Sequence, residues 1–369
     1  MRLLFLAKRH YMRKDLIGDR YGRYYEIPKA LATAGYDTTV IAADYYGGSG
    51  RIEDVVKDGV RWISVPWRAL RLYGPAGWWR TLMHMVTTVQ PQRIVGCGDA
   101  LQIIAGSRLA LRFGIPFVAD LYDNIEAFSL TRIPGVHHLY KRALDQADAV
   151  SCLSEPLADV IRGSQRNRTP LSVIGFAVPE NLFKPINKMT ARACMRLPLE
   201  KKLIGVGGAL DRGRDMQTVF EAVSALRAER PDVELVLAGS GDCLPLAKQC
   251  GVRYLGVLEY EQMPCFFSAL DVGIVPYRDS EFGRYCFPQK FYEVAACGAP
   301  MVAADVGEMR RLLAGFPNCR YRPGDVGSLV RAIESQFDNP TALSLAIPTW
   351  SQRGTEFSQL LRSVANIER

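Results

Sequence analysis

The sequence contains no apolar run long enough to span a membrane. Its longest uninterrupted apolar stretches have the length of a strand, whereas a membrane helix needs about 20 apolar residues. Residues 1–8 hold too short an apolar stretch for a signal peptide and lack a small-residue cleavage site. We therefore expect a cytoplasmic protein whose first apolar stretch is a buried strand.

Patterns typical of a metal or disulfide protein are also missing. None of the nine cysteines forms a Cys-x-x-Cys pair, and the four histidines complete no zinc pattern. An odd number of scattered cysteines favours reduced, partly buried thiols over disulfides or a catalytic thiol. Because no Asp-x-Asp motif is evident either, we expect no metal requirement.

The chain has a net charge of +8, with 46 basic and 38 acidic residues. An excess of this size suits an anionic membrane surface, a polyphosphate substrate or a nucleic acid. Since no RNA-recognition aromatic pattern, zinc finger or helix-turn-helix is present, we expect no nucleic-acid partner.

Short apolar strands alternate with helical stretches along the chain, which predicts an α/β protein with parallel sheets. The alternation restarts after residue 175, and 369 residues are many for one domain. We predict two Rossmann-like doubly wound domains, 1–175 and 176–345, followed by a helix in 346–369 that packs back on the first domain. Ligands of open parallel sheets bind beyond the carboxyl ends of the strands, so both carboxyl edges should face a central cleft.

The strongest local signal is the segment 287–302, Phe-Pro-Gln-Lys-Phe-Tyr-Glu-Val-Ala-Ala-Cys-Gly-Ala-Pro-Met-Val. Its proline suits the first turn of a helix that ends at Gly298 before a buried strand. Lys290 and Glu293 are three residues apart and share one face of that helix. A diphosphate would bind at the helix N-terminus beside Lys290, and Glu293 would accept hydrogen bonds from ribose hydroxyls. The alternative is a surface Lys–Glu pair on an ordinary helix.

Glycines and arginines follow two earlier predicted strands. Gly208 lies in the segment 206–215, Val-Gly-Gly-Ala-Leu-Asp-Arg-Gly-Arg-Asp, in which Arg212 and Arg214 would bind the oxygens of a diphosphate. Glycines let the backbone approach such a group closely. Gly239 belongs to a second glycine turn, although it would equally serve as a simple turn residue.

In this order, the segments resemble the donor site of GT-B glycosyltransferases, particularly family 4 and its relatives. Residues 271–277, Asp-Val-Gly-Ile-Val-Pro-Tyr, resemble the strand that precedes the donor site and add Tyr277 to it. The resemblance covers residues 200–310 and extends more loosely over the N-terminal half. It implies a GT-B fold with an acceptor-binding first domain, a donor-binding second domain and a UDP-sugar as co-substrate.

One position departs from the family pattern. Retaining members typically carry two glutamates separated by seven residues, and Glu293 matches the second, but Tyr285 stands where the first belongs. Glu281 resembles the start of that motif with four extra residues in between. Either an insertion brings Glu281 to the sugar, or the first glutamate is absent, and the resemblance leaves the stereochemical course open.

In the N-terminal half, a predicted strand at 117–121 runs into a polar loop. The histidine common in the family corresponds to Tyr122, which leaves Asp123 as the general base of an inverting reaction. Asn124 and Glu126 would contact the acceptor. The alternative is that Asp123 and Asn124 shape a turn.

The loop after the first strand, residues 8–23, occupies the position of the family's glycine-bearing acceptor loop but is rich in basic and aromatic residues. Such a loop would hold a phosphate-bearing acceptor through His10, Arg13 and Arg20. His10 is a second candidate base, and the alternative is a solvated loop histidine.

Residues 66–80 mix Trp, Tyr, Leu and Arg and include no acidic residue. This composition suits a membrane interface, where rings lie at headgroup level and guanidinium groups meet phosphates. We predict that Trp67, Arg71, Trp78 and Trp79 contact an anionic membrane surface on the cytosolic face. Tryptophans in a buried loop or in interdomain packing are the alternative.

The sequence thus predicts a transferase that moves a hexose-type sugar from a nucleotide sugar to an acceptor hydroxyl. The predicted acceptor is a lipid-linked saccharide in cell-envelope polysaccharide synthesis. Two alternatives share the fold: a sugar-nucleotide epimerase, which needs no acceptor, and a non-catalytic protein that binds a glycan or a protein partner.

Overall fold

A computed structural model describes residues 1–11, 14–46, 52–127, 130–164, 169–179 and 181–364, without the side chains of residues 11, 67–76, 127, 248 and 249. The chain forms two compact units. The first consists of Met1–Phe176 with Trp350–Arg369, and the second of Ala177–Thr349.

The first unit is built on an eight-stranded sheet of order β10-β9-β8-β7-β1-β4-β6-β5, in which only β5 runs antiparallel to its neighbour. A short hairpin, β2 with β3, lies outside this sheet. The strands are β1 (Arg2–Lys8), β2 (His10–Tyr11), β3 (Lys14–Asp15), β4 (Asp37–Asp44), β5 (Glu53–Lys57), β6 (Val60–Pro66), β7 (Arg93–Cys97), β8 (Phe117–Leu121), β9 (Ala149–Cys152) and β10 (Leu171–Val173). The helices are α1 (Arg23–Thr33), α2 (Trp67–Val89), α3 (Ala100–Phe113), α4 (Pro134–Asp145) and α5 (Glu155–Ser164).

The second unit contains a six-stranded parallel sheet of order β13-β12-β11-β14-β15-β16. Its strands are β11 (Lys202–Ala209), β12 (Val233–Ser240), β13 (Arg253–Tyr254), β14 (Val272–Val275), β15 (Met301–Ala304) and β16 (Arg320–Tyr321). Its helices are α6 (Lys188–Met195), α7 (Met216–Glu229), α8 (Leu244–Gln249), α9 (Met263–Ser268), α10 (Glu281–Tyr285), α11 (Gln289–Ala296), α12 (Gly307–Leu312) and α13 (Val326–Asp338).

The last helix, α14 (Trp350–Ser363), belongs to the first unit and packs against α1. The hydroxyl groups of Tyr36 and Ser358 lie 2.6 Å apart, and Arg93 donates a 2.7 Å hydrogen bond to the Val364 carbonyl at the end of α14. A cation at a helix C-terminus satisfies carbonyl groups that have no partner within the helix.

The central strands are buried on both faces, as in parallel sheets that helices cover on both sides. Every residue from Leu3 to Ala7 is buried in β1, and all five residues of β7 and of β8 are buried. The predicted α/β fold with two parallel sheets is therefore confirmed. Within the described part of the chain, no helix has both the length and the apolar character needed to cross a bilayer.

Candidate functional site

The carboxyl edge of the second sheet is lined by glycines whose backbones nearly touch. Gly208 at the end of β11 has φ 106°, and Gly239 at the end of β12 has φ 137°. A Cβ at Gly239 would overlap the carbonyl oxygen of Gly208, and one at Gly241 would overlap the backbone of Leu210. Only glycine tolerates these backbone conformations and this close approach of the two strands.

Helix α11 brings a buried carboxylate to this edge. Glu293 is 0% exposed, and its Oε1 accepts hydrogen bonds from Gln289 Nε2 at 2.8 Å and from Tyr260 Oη at 3.3 Å. Lys290 Nζ donates to Oε2 at 2.6 Å. A buried charge needs this degree of pairing. The pair is therefore not a surface pair on an ordinary helix.

Lys290 also contacts the glycine edge. A Cβ on Gly208 would lie 3.0 Å from Lys290 Cε, so the absence of a side chain there makes room for the lysine. The side chain of Lys290 remains 29% exposed. Two segments more than 80 residues apart, predicted separately as donor-binding, thus meet: the end of β11 and the first turn of α11.

A second group of predicted residues lies around Arg214, in the turn after β11. Its guanidinium carbon lies 4.1 Å from the ring centroid of Tyr277 and 4.9 Å from that of Phe282, in α10. Arg212 in the same turn is 82% exposed, and its Nε lies 3.6 Å from Asp242 Oδ2. Aromatic contacts thus hold one arginine in place, while the other extends into solvent.

Glu281 is the first residue of α10 and is exposed. Ser280 caps this short helix by accepting the Gly283 N–H at 3.2 Å, and Tyr285 is its last residue. Residues 281–285 therefore form a short helix, which contacts Arg214 through Phe282. The sequence pattern indicated Glu281 as a site residue but did not predict this helix.

At the carboxyl edge of the first sheet, a cavity of about 200 Å³ opens between side chains that, apart from Tyr122, have no sequence prediction attached to them. Lys8 Nζ at the end of β1 lies 3.0 Å from Asp99 Oδ1 and 3.2 Å from Tyr122 Oη. Burial raises the pKa of Tyr122, so its hydroxyl stays protonated. The cavity is lined by Lys8, Asp99, Ala100, Tyr122, Ile125, Leu130 and Thr131. The available signal was position, because Lys8 ends the first apolar strand and Asp99 lies two residues beyond the end of β7.

The predicted base Asp123 is 7% exposed, and its Oδ1 accepts the N–H of Asn124 at 2.8 Å. Glu126 Oε1 lies 2.5 Å from Lys141 Nζ. In the described part of the chain, neither acid nor Asn124 lines the cavity, although Tyr122 and Ile125 from the same loop do. The structure thus places the predicted acceptor loop beside the cavity.

The basic loop after β1 is partly described. His10 Nε2 lies 3.3 Å from Asp44 Oδ1, and the His10 ring packs edge-on against Tyr46 at 4.8 Å. Arg20 is exposed, with Nη1 4.0 Å from Asp58 Oδ2, and Arg13 lies outside the described residues. His10 is therefore held by a buried carboxylate and is not simply solvated.

Beneath the first edge lies a buried ion pair that the sequence did not reveal. Arg23 and Asp120 form a two-pronged contact, with Nη2 to Oδ1 at 2.7 Å and Nε to Oδ2 at 3.1 Å. Arg23 also donates to the carbonyls of Ile174 and Gly175, and Ser151 bonds to Asp120. This network joins α1, β8, β9 and residues 174–175 near the end of the first unit. Its acidic member, Asp120, precedes Tyr122 by two residues.

The proposed membrane residues all belong to α2. The side chains of Trp67 and Arg71 lie outside the described ones, whereas Trp78 and Trp79 are half-buried. Nε1 of Trp78 is buried with no hydrogen-bond partner within the described structure. Leu82 and Val86 of the same helix are buried in the first unit.

Both halves of the chain match glycosyltransferase families. Residues 22–177 match the glycosyl transferase 4-like domain, and residues 200–339 match glycosyl transferases group 1. This chain belongs to the GT-B glycosyltransferases. The second match covers all six strands of the second unit, and the first covers the strands of the first unit from β4 onward.

Curated relatives of this glycosyltransferase cover part of the chain. A phosphatidyl-myo-inositol mannosyltransferase from Propionibacterium freudenreichii subsp. shermanii is 30% identical over 58% of this chain and 54% of its own length. The putative teichuronic acid biosynthesis glycosyltransferase TuaH from Bacillus subtilis is 24% identical over 45% of this chain and 42% of its own. The matches thus span about half the length of these relatives.

Solved structures share the fold over nearly the whole chain. Sucrose-phosphate synthase from Thermosynechococcus elongatus has a TM-score of 0.77 at 18% identity, covering 98% of this chain and 99% of its own. Anabaena HepE in complex with UDP-glucose has a TM-score of 0.70 at 16% identity, covering 98% and 100%. At such identities the likeness establishes the GT-B fold.

Proposed function

We propose that this glycosyltransferase moves a hexose-type sugar from a UDP-sugar to an acceptor hydroxyl, and that its second unit binds the donor. The observation that carries the proposal is the Lys290–Glu293 pair held against the glycine edge at Gly208. HepE, with the same fold, has been solved with UDP-glucose, which supports UDP as the nucleotide.

In this proposal the diphosphate lies beside Gly208, where the N-terminus of α11 favours an anion. Lys290 neutralises its charge at close range, and Arg212 and Arg214 reach it from the turn after β11. These three cations supply the charge stabilisation that a metal ion would otherwise give to the leaving diphosphate, so we propose a metal-independent reaction.

The ribose is assigned to Glu293. A carboxylate has about four lone-pair sites, and three hydrogen-bond donors occupy part of them here. We assign the one site that remains, on Oε2, to a ribose hydroxyl. Tyr277 would border the same donor site through its contact with Arg214, and Glu281 extends it from α10.

The acceptor is assigned to the cavity of the first unit. Lys8 offers a cation to a phosphate-bearing group, while Ile125 and Leu130 offer apolar surface. The names of the two curated relatives, one a phosphatidylinositol mannosyltransferase and the other a teichuronic acid enzyme, favour a lipid-linked saccharide of the cell envelope. Asp123 stays the proposed base if the reaction inverts, with His10, Arg13, Arg20, Asn124 and Glu126 around the acceptor.

Such an acceptor lies in a membrane, and we propose that the enzyme is cytoplasmic and binds the cytosolic face peripherally. Trp67, Arg71, Trp78 and Trp79 of α2 would make that contact. Replacing Trp78 and Trp79 by alanine should lower binding to vesicles that contain anionic lipid, measured by co-sedimentation, and leave UDP affinity unchanged. Vesicle binding equal to the wild type would contradict the membrane assignment.

Transfer itself is tested by incubating the protein with UDP-hexoses, with and without a polyprenyl-diphosphate-linked sugar. The proposal predicts release of UDP only when the acceptor is present, together with a product that is one sugar longer. Epimer formation without acceptor would instead show an epimerase, and the absence of any UDP-sugar binding would show a non-catalytic protein.

A further inference from the structure

Two cysteines of the second unit lie together at its surface. Cys194, in α6, is exposed, and Cys265, in α9, is half-buried. Both are free thiols, and the thiol of Cys265 is hydrogen-bonded to that of Cys194. The two residues are 71 positions apart in the sequence, so only the packing of α6 on α9 brings them together.

This packing is fixed by charged groups next to Cys194. Arg192 donates three hydrogen bonds: Nε to the Ala269 carbonyl at 3.0 Å, Nη1 to the Leu199 carbonyl at 2.7 Å and Nη2 to Asp271 Oδ2 at 2.6 Å. Lys188 Nζ lies 2.9 Å from Asp271 Oδ1. Because these bonds tie the part of α6 before Cys194 to the end of α9 and to Asp271, the two helices are held together before any reaction. A disulfide bond needs cysteines whose side chains already lie near each other, which the packing of α6 on α9 provides.

The two thiols differ in their exposure to solvent, and this difference decides which of them reacts first. Burial raises the pKa of Cys265, and its hydrogen bond to Cys194 raises it further. Cys194 is open to solvent, so a reagent can reach it first. Thiolates are the attacking species in exchange, and access limits which thiol reacts.

We propose that Cys194 and Cys265 form a modification site for low-molecular-weight disulfides and close to a reversible disulfide bond. The Cys194 thiolate attacks one sulfur of the small disulfide, whose S–S bond breaks and releases one small thiol. The Cys265 thiolate then attacks the Cys194 sulfur and releases the second small thiol. The protein loses two thiol hydrogens, and the reagent gains them.

The bond would fasten α6 to the helix that supports the glycine edge. The inner face of α9 contacts that edge: a Cβ at Gly207 would lie 2.9 Å from Met263 and 3.1 Å from Phe266. The turn before α9 holds Tyr260, which donates to Glu293. The proposed modification site therefore lies on the outer side of a helix whose inner side carries the candidate donor site. It does not depend on the proposed transfer activity.

The test is to incubate the full-length protein with oxidised glutathione, block the remaining thiols and map peptides without reduction. We expect a peptide pair linked through Cys194 and Cys265, loss of two titratable thiols and reversal by dithiothreitol. Cys265→Ser should stop at a glutathione adduct on Cys194, and Cys194→Ser should give neither product at these positions. Cys250, a half-buried thiol, serves as an internal control that forms an adduct at most.

Thermal unfolding provides a second readout. Because a closed loop of this length restricts the unfolded chain, the oxidised wild type should unfold about 5 °C higher than the reduced protein, and Cys265→Ser should show no such rise. A stable glutathione adduct on wild-type Cys194, a link to another cysteine, or no modification at all would overturn the proposal.

Discussion

The carboxyl edges of the two sheets differ in the side chains that line them. In the second unit, Gly208 and Gly239 leave the edge without side chains, and a single paired lysine, Lys290, lies over it. In the first unit, the corresponding edge is filled by side chains, including Lys8 and Tyr122 around a cavity. Both edges present a lysine that is paired with a buried or half-buried carboxylate.

The difference follows from what each edge would bind. The diphosphate is the same in every nucleoside diphosphate sugar, and a helix N-terminus recognises it without regard to the sugar. Acceptors differ between enzymes, so their recognition needs side chains. This explains why the second edge resembles its family segment by segment, while the first matches it loosely. The following predictions separate the two edges experimentally.

The largest effect is expected at the pair beneath the first edge. Arg23→Ala leaves Asp120 buried without its cation, which should lower the free energy of unfolding of the first unit by about 3–5 kcal/mol. All five tryptophans belong to that unit, so their fluorescence in a urea titration reports on it alone. Arg61→Ala, which breaks the exposed pair with Asp54, is the control and should cost about 1 kcal/mol or less. Equal shifts for the two variants would show that the buried network does not support this edge.

A smaller loss is expected at the glycine edge. Gly239→Ala forces a side chain into the Gly208 carbonyl at φ 137°, which should cost about 3 kcal/mol and weaken UDP binding. Gly324→Ala, at φ 78° with open space around it, should cost about 1 kcal/mol. Calorimetry should show the shift while the tryptophan transition stays in place. Normal UDP affinity in Gly239→Ala would mean that the edge does not contact the donor.

The opposite edge of the second sheet gives a pH-dependent contrast. Although burial acts against it, hydrogen bonds from the Leu203 N–H and Lys188, with the charges of Lys188 and Arg192, hold the pKa of Asp271 below its usual value. Its stabilisation is therefore present above the pKa of the unfolded chain, near 4, and is lost as pH falls through the lower folded pKa. Asp271→Asn should be about 2 kcal/mol less stable at pH 7, and the gap to the wild type should close as pH falls through the folded pKa of Asp271, in urea titrations followed by circular dichroism. Its UDP affinity should not change, and a gap that persists at low pH would contradict the charge explanation.

Several elements could be predicted from the sequence with the same first and last residues that the structure shows. The structure has strands at 117–121 and 272–275 and a helix at 216–229, and in the sequence each is a clear apolar or helical pattern between turn residues. Helix α2 was not predicted, since Gly74, Pro75 and Gly77 are typical of a loop. Edge strand β5 was not predicted either, because only three of its five residues are even partly buried.

The contacts at the two carboxyl edges also differed in how well the sequence could predict them. Lys290 and Glu293 could be predicted to pair because three residues separate them on a helix. Lys8 and Asp99 are 91 residues apart, and only the pairing of β1 with β7 brings them together. No local pattern encodes that contact. The cavity of the first unit therefore became visible only in the structure.

The most direct test of this account is to titrate UDP into the wild type, Lys290→Ala and Lys8→Ala by calorimetry. The two lysines are matched, since each extends a carboxyl edge and pairs with one carboxylate. If the second unit binds the donor, Lys290→Ala should lose about tenfold or more in affinity, equivalent to about 1.4 kcal/mol, while Lys8→Ala binds UDP like the wild type. Unchanged binding by Lys290→Ala, or an equal loss in Lys8→Ala, would contradict it.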